Sequence, residues 1–533
     1  MFVGRSSTAS VKNWETSGPR IRPGSQTLKQ VPDFTCPVTR SQFRNSIPFV
    51  TRPAGRRVPG ADLLRLFSPN RVDCCVSPRA STSRESTILP PRISRRNLLC
   101  GSVGLSGLTL PTLLSLRADA ASLPRAKSCI VIYLWGGIAH QESWDPKPEA
   151  LSELRGEFQT ISTATPGVHF CEHIPLMARH SEKIAVVRSL HHHTGAHGPA
   201  LYTSITGQKA PMGKAKDRKN WPSLAAMVSR FCDVPDGTPP AVAMPYLNYD
   251  NGALIQGQFG GWLGVDYDPI MLRTPAGKPY GGTSRYTNRE LELKLNLGRN
   301  RVEGRQSLRA KLERQVGTQA DFQRFNRFRE MAADMLLSSP VKEAYDLENE
   351  DPRIRVMYGD HIGGQSMLLA RRLTEAGVPV VQVNAGAGDL AGGSGDNWDT
   401  HRGHFPKMKK RLLPVFDRSI SALLTDLEQR GSLEETLVAV LTDFGRTPKI
   451  NKNGGRDHYP AVFSQILAGG GVRGGHVYGS SDRDGARPLA NDCSPKDFHA
   501  TVLTAMGINP RTEVPDREGR PFQICGGRVL PLF

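Results

Sequence analysis

The chain of 533 residues is long enough to bury a large core, and it carries 69 Lys/Arg against 50 Asp/Glu, a formal net charge of +19. The excess lies mainly in residues 1–126, where 19 basic residues stand against 6 acidic ones, whereas the remaining 50 basic and 44 acidic residues nearly balance. No concentrated basic face is left for a phosphate backbone, so we do not expect a nucleic-acid partner.

Residues 1–91 are rich in Ser, Pro and Arg and show little apolar periodicity. Such a composition buries too little apolar surface to offset the loss of chain entropy on folding. We therefore expect this extension to be disordered, or to result from a misassigned start codon.

Residues 92–121 contain a pair of arginines, Arg95 and Arg96, then a short apolar run and an Ala-x-Ala sequence that ends at Ala120. This order is typical of a twin-arginine signal peptide, although a short buried helix is an alternative interpretation. We expect the Tat export machinery as a partner and a periplasmic or secreted location. The apolar run is too short and too rich in glycine for a stable membrane span.

The mature chain, 127–533, alternates strand and helix patterns. Helical periodicity is found at 366–376 and from His404 to Arg430, and a helical insertion is predicted around 287–340. Continuous apolar runs typical of strands buried on both faces occur at 128–134, 184–187, 241–244, 378–384, 436–441 and 463–467. Alternating strands and helices predict an α/β fold, an α/β/α sandwich with a mixed, mostly parallel sheet.

Polar residues of the kinds that bind metal ions follow three of these strands, where sites form in α/β sheets. Asp and His hold zinc-like ions through oxygen and imidazole nitrogen. The candidates, in chain order, are His140 and Asp145 after the first strand, Asp399, His401 and His404 after the strand at 378–384, and Asp443, Arg446, Asp457 and His458 after the strand at 436–441.

Each candidate also has a purely structural interpretation. Asp443 could cap a turn, and His401 and His404, one helical turn apart, could point to solvent. His458 could pair with Asp457. Arg446 could bind a carboxylate within the fold rather than a substrate.

Several of these segments carry a family resemblance. Over about residues 92–533 the chain resembles the exported family catalogued as domain of unknown function 1501. The segments that carry the resemblance are LWGG (134–137), WDPKP (144–148), NWDTH (397–401), DFGRTP (443–448) and GRDH (455–458). That family is similar in fold to the alkaline phosphatase and sulfatase superfamily. The resemblance implies an alkaline-phosphatase-like sandwich and an exported metal-dependent hydrolase. Its substrate would be a small anionic phosphate or sulfate ester, or a phosphorylated or sulfated glycan.

The resemblance also implies site residues. The superfamily's first metal site matches Asp399, His404 or His401, and His458. Its second site matches Asp443, but Phe444 stands where the superfamily has His, and the residues after the first strand lack its Asp, for which His140 or Asp145 is the possible substitute.

The superfamily's nucleophilic Ser or Thr precedes a Thr-Gly pair by about two helical turns. Here Thr206-Gly207 is preceded by His197, Gly198, Pro199 and Ala200 instead. An alternative function therefore stays open, that of a catalytically inactive member of the fold that binds metal or an anionic glycan in an extracellular assembly.

The predicted site is accordingly a divalent metal site, with zinc expected and manganese or calcium as alternatives. Arg446 and His140 are predicted as catalytic residues, with Arg446 stabilising the negative charge of the substrate. The predicted metal ligands are Asp399, His401, His404, Asp443, His458 and Asp145.

Overall fold

The computed structural model of the chain describes residues 126–211, 219–235, 237–250, 252–272, 304, 339–385, 397–516 and 518–533. The extension at 1–91, the signal peptide at 92–121 and nearly all of the insertion predicted at 287–340 lie outside the described residues. Within the described part, no helix is long and apolar enough to cross a membrane.

The described elements alternate between strand and helix along most of the chain. The strands are β1 (Ser128–Leu134), β2 (Thr160–Ser162), β3 (His169–Cys171), β4 (Ile184–Leu190), β5 (Val242–Met244), β6 (Tyr249–Asp250), β7 (Ala253–Leu254), β8 (Ile270–Met271), β9 (Val380–Asn384), β10 (Thr436–Thr442), β11 (Gly445–Arg446), β12 (His458–Tyr459), β13 (Phe463–Ala468), β14 (Val477–Tyr478), β15 (Ser480–Ser481), β16 (Pro488–Ala490), β17 (Glu513–Pro515) and β18 (Pro521–Gln523). The helices are α1 (Ser152–Arg155), α2 (Pro175–Arg179), α3 (His197–Thr206), α4 (Leu224–Ser229), α5 (Ser339–Tyr345), α6 (Pro352–Tyr358), α7 (Ile362–Glu375), α8 (His404–Lys407), α9 (Leu413–Gln429) and α10 (Pro495–Ala505).

Eight strands form the central sheet, in the order β14-β4-β13-β10-β1-β9-β5-β8. Strand β1 lies at its centre and pairs in parallel with β10 on one side and β9 on the other, with Leu134 opposite Thr442 and Cys129 opposite Val380. Strand β13 runs antiparallel to both of its neighbours, β10 and β4. The sheet is therefore mixed and mostly parallel, as predicted.

Helices cover both faces of this sheet. Alternate residues of β1 point to opposite sides, so Ile130 and Ile132 pack in a core with helices α7 and α9. Their neighbours Cys129 and Val131 pack in a second core with α3, α4 and α10. Burial on both faces explains why the strand is apolar throughout, and it confirms the predicted α/β/α sandwich.

Two predicted helices are confirmed with different bounds. Helix α7 begins at Ile362 rather than at residue 366, because the His361 side chain accepts a hydrogen bond from the Gly364 N–H at 2.9 Å and caps the helix. The helix predicted after His404 is divided into α8 and α9 by a π-helical turn, Met408–Leu412.

Candidate metal centre

Four segments meet at the carboxyl edge of the sheet. Strands β1, β4 and β10 run in the same direction and end there, so the loops that follow them lie near one another. The loop at 397–403 is held against the end of β1 by a hydrogen bond from the Trp398 N–H to the Trp135 carbonyl oxygen at 3.0 Å. The pairing of β11 with β12 places His458 opposite Arg446 and brings the GRDH segment to the same edge.

Three imidazole rings converge on one carboxylate at this edge. The Nε2 atoms of His401 and His458 lie 3.2 Å from Asp399 Oδ1 and 2.9 Å from each other. The Nε2 atom of His197, the first residue of α3, lies 3.4 Å from Asp399 Oδ2. Ligand atoms of His197, Asp399 and His458 all lie within 4.8 Å of one another. We call these four residues, which are candidate ligands, the metal centre.

The other nitrogen of each ring, Nδ1, faces an oxygen atom that only accepts hydrogen bonds. The acceptors are an Asp443 carboxylate oxygen for His197 (2.7 Å), an Asp457 carboxylate oxygen for His401 (2.7 Å) and the Gly195 carbonyl oxygen for His458 (2.6 Å). Each Nδ1 can therefore keep its proton when an ion binds, and the neutral ring would then offer its Nε2 lone pair to the ion. Three such nitrogens and a carboxylate, with acceptors behind the rings, fit a divalent ion such as zinc.

Arg446 is buried beside this group and holds Asp399 in place. Its Nη2 atom donates to Asp399 Oδ1 at 2.7 Å, its Nε atom to the Gly137 carbonyl oxygen at 2.9 Å and its Nη1 atom to the Arg456 carbonyl oxygen at 3.0 Å. Nη2 also donates to the Gly136 carbonyl oxygen. All three guanidinium nitrogens are thus engaged within the protein, and Arg446 binds a carboxylate of the fold.

These contacts shift the pKa values of the group. Burial alone would raise the pKa of Asp399, but hydrogen bonds with His197 and His458 and the charge of Arg446 hold it well below its usual range. Burial alone would lower the pKa of His197, but its hydrogen bonds with Asp399 and Asp443 raise it to about 9. A metal ion at Nε2 has to displace this proton, because a ligating imidazole is neutral.

Two residues predicted as ligands lie behind the metal centre. Asp443 contacts the Nδ1 side of the His197 ring, away from the Nε2 atoms. His404 is fully buried, with its Nε2 atom 3.0 Å from a Glu142 carboxylate oxygen and its Nδ1 atom 2.7 Å from Thr400 Oγ1. Gly403 has a left-handed backbone conformation, with φ of 56°, and separates His401 from the helix that begins at His404.

His140 and Asp145 belong to a separate buried network. Asp145 accepts hydrogen bonds from Lys147 Nζ at 3.0 Å and Ser481 Oγ at 2.5 Å. Its Oδ1 atom also lies 3.4 Å from Arg188 Nε. The Nε2 atom of His140 faces the Gly485 carbonyl oxygen at 3.2 Å, and burial lowers the pKa of His140 to about 4. The structure therefore places neither residue among the four that converge.

His197 is the residue of the centre that the sequence-based site does not include. The sequence feature that could have identified His197 is its position. It begins the helix that ends at Thr206-Gly207, and the superfamily carries its nucleophile about two helical turns before such a Thr-Gly pair. Stacking on Trp135, with ring centroids 4.6 Å apart, and contact with the Phe444 ring at 5.1 Å fix the plane of its ring.

The fold and the metal centre together define an α/β protein with a donor group suited to a divalent ion. Residues 126–532 match the family model described as "Protein of unknown function (DUF1501)", and the chain belongs to that family. This match confirms the family predicted from the sequence segments. No curated protein matches the chain.

Several solved structures align with most of the chain at low similarity. One is Ps i-CgsB in complex with k-i-k-neocarrahexaose, 9% identical over 72% of each chain with a TM-score of 0.34. Another is the PsFucS1 sulfatase from Pseudoalteromonas sp., 12% identical over 74% of this chain and 70% of that chain, with a TM-score of 0.33. A third is the phosphonate monoester hydrolase SpPMH from Silicibacter pomeroyi, 12% identical over 76% of each chain, with a TM-score of 0.28.

Proposed function

We propose that the protein is an exported, metal-dependent hydrolase of phosphate or sulfate esters. The observation that supports the proposal most directly is the convergence of three Nε2 atoms on Asp399, with an oxygen acceptor behind each ring. Zinc is the expected ion, because imidazole nitrogen and carboxylate oxygen are its usual ligands. Manganese is the alternative, whereas three imidazoles are unsuited to calcium, which prefers oxygen ligands throughout.

In the proposed site, His197, Asp399 and His458 would hold the ion and leave a position open for water, with His401 beside them as a further candidate ligand. When bound, a divalent ion supplies Lewis acidity and lowers the pKa of its water towards about 7. Arg446 fixes the orientation of Asp399, since all three of its nitrogens are engaged within the protein.

The proposed substrate is a small anionic ester or a phosphorylated or sulfated glycan. The resemblance of the DFGRTP and GRDH segments to a family related to phosphatases and sulfatases supports this class. An ester with a net negative charge also suits a centre in which a divalent ion lies beside the guanidinium of Arg446, because both attract anions.

Hydrolysis of chromogenic esters tests this function. We expect the full chain to cleave at least one of an aryl phosphate, an aryl phosphodiester or an aryl sulfate. Removal of metal by a chelator should lower turnover by about 100-fold or more, and one equivalent of zinc or manganese should restore it. Turnover that survives complete metal removal would contradict the proposal. Metal binding without cleavage of any ester would instead favour a catalytically inactive, glycan- or metal-binding protein.

Export is the second part of the proposal, and it rests on the segment around Arg95 and Arg96. Replacement of both arginines by lysine keeps the charge but removes the paired guanidinium groups that twin-arginine export requires. We expect this double variant to remain in the cytoplasm while the unchanged chain reaches the periplasm or medium, as measured by immunoblotting of cell fractions. Equal export of the two chains would show that another signal directs the protein.

A further inference from the structure

Asp443 lies beside the metal centre, but hydrogen bonds within the protein surround its carboxylate. Its Oδ1 atom accepts from the Tyr133 hydroxyl and the Gly136 N–H, both at 3.1 Å. Its Oδ2 atom accepts from the Gly136 N–H at 3.1 Å and from His197 Nδ1 at 2.7 Å. Three donors, the Tyr133 hydroxyl, the shared Gly136 N–H and His197 Nδ1, therefore engage both oxygens of this carboxylate within the protein.

Among the described residues, the neighbours of Asp443 at positions 136, 137 and 444 provide no partner ligand for a second ion. A Cβ atom at Gly136 would lie 2.4 Å from the Asp399 backbone nitrogen, and one at Gly137 would lie 2.7 Å from the Phe444 ring. Both glycines also have positive φ angles, of 108° and 87°. An acidic side chain therefore has no room at either position.

The residue after Asp443 is also unsuited to ligation. The ring of Phe444 packs against His197 and His458, with centroids 5.1 and 4.5 Å away. An apolar ring, which has no atom able to ligate a metal, thus fills this position and packs against two members of the centre.

We infer that the centre holds one metal ion and that Asp443 is a positioning residue, which acts through His197 and does not bind the ion. The inference rests on the proposed function, because it assigns a role within the same centre. The Asp443 carboxylate accepts a hydrogen bond from Nδ1 of His197, so that Nε2 is the nitrogen left to bind the ion. Carboxylates that orient ligating histidines in this way typically contribute a factor of about 10–100 to metal affinity.

Titration of the metal-free full chain with Co²⁺ tests the inference, with the visible absorption of the bound ion and the metal content as readouts. We expect saturation at one equivalent in the wild type. Asp443→Asn should also saturate at one equivalent, with an affinity about 10–100-fold weaker. Asp145→Asn is the matched control, since Asp145 is a buried carboxylate of the separate network, and its affinity should equal that of the wild type.

A second readout separates positioning from a general structural effect. In ¹H–¹⁵N spectra of the metal-loaded chains, the Nδ1 proton of His197 should be shifted downfield by its hydrogen bond to the Asp443 carboxylate in the wild type, and Asp443→Asn should reduce this shift. Tyr133→Phe removes one donor to Asp443 and preserves the ring, so it serves where Asp443→Asn does not fold. We expect it to bind one ion with less than about a 10-fold loss of affinity.

The Co²⁺ titration distinguishes a ligand role of Asp443 from a positioning role, and both from failure of the proposed function. Two ions in the wild type and one in Asp443→Asn would make Asp443 a ligand and overturn the inference. If Asp443→Asn binds Co²⁺ as tightly as the wild type, Asp443 does not position His197 for metal binding. No ion in the wild type would contradict the proposed function itself, which is a different result from either of these.

Discussion

Replacing His458 with alanine is expected to remove the metal ion from the purified chain and to lower metal affinity by about 100-fold or more. Loss of an orienting partner behind a ligand already costs about 10–100-fold, and loss of the ligand should cost at least as much. His458 lies at the middle of the centre, since its Nε2 atom is 3.2 Å from Asp399 Oδ1 and 2.9 Å from His401 Nε2. Asp399→Ala should have the same effect, because all three rings face this carboxylate.

Metal content and ester turnover measured on the same preparations check this prediction. His193→Ala is the matched control, since His193 is exposed and lies four residues before His197 of the centre. It should retain one ion and full turnover. Because His404 is engaged by Glu142 and Thr400, His404→Gln should also retain the ion. If His458→Ala and the wild type bind equal amounts of metal, the centre described here is not a metal site.

The pattern of apolar residues was sufficient to predict the sheet, because its strands are buried on both faces. The run at 128–134 coincides with β1, the runs at 241–244 and 378–384 contain β5 and β9, and the other three runs each cover part of β4, β10 or β13. The short edge strands β8 and β14, with two residues each, carry too little pattern to be recognised. The start of α7 was missed because Gly363 and Gly364 are poor helix formers, and its cap comes from a histidine.

The candidate site was harder to predict, because contacts between distant parts of the chain decide which Asp and His residues belong to it. The three-residue spacing of His401 and His404 gave no reason to choose between them. In the structure, Glu142, which is 262 residues away in the sequence, engages His404, while Asp457 engages His401. His197 stood apart from the Asp- and His-rich segments, and only the folding of α3 against the end of β10 brings it to Asp399.

The role of Arg446 could not be decided from the sequence either, because it depends on which acceptors lie near its guanidinium group. Its place after a strand made a role in anion binding a natural prediction, and the alternative was a carboxylate within the fold. The structure shows the second arrangement, since its guanidinium group contacts Asp399 and the carbonyl oxygens of the loop after β1. A fork of donors suits both uses equally well, so only the positions of the acceptors decide between them.

Glu142 links two loops that carry residues of the centre. Its carboxylate accepts from Arg456 Nη2 at 2.6 Å and Nε at 3.2 Å, and it contacts His404 Nε2 at 3.0 Å. All three side chains are buried. Arg456 precedes Asp457 and His458 in the GRDH segment, and His404 follows the loop of Asp399 and His401. This ion pair therefore joins the β1 loop to both segments that carry residues of the centre.

We expect Glu142→Gln to lower the free energy of unfolding by about 3–5 kcal/mol, because it leaves the charge of Arg456 buried without a counter-ion. The matched control is Glu435→Gln, since Glu435 forms an exposed pair with Lys127 at 2.7 Å, with side chains 52% and 75% exposed. That variant should change stability by less than about 1 kcal/mol. Urea denaturation of the metal-free chains measures both, and equal stability of the two variants would show that the buried pair contributes little.

The effect of Glu142→Gln should also depend on pH in a defined direction. Burial alone would raise the pKa of Glu142, but the charges of Arg456 and His404 lower it from an ordinary value of 4.5 to about 2. A carboxyl whose pKa is lower in the folded state contributes stability above its ordinary pKa and loses this contribution as the pH falls towards the folded value. The difference in unfolding free energy between wild type and Glu142→Gln should therefore be largest above pH about 4.5 and shrink between about 4.5 and 2. A difference that stays constant across this range would mean that the carboxylate charge is not what stabilises the junction of the three loops.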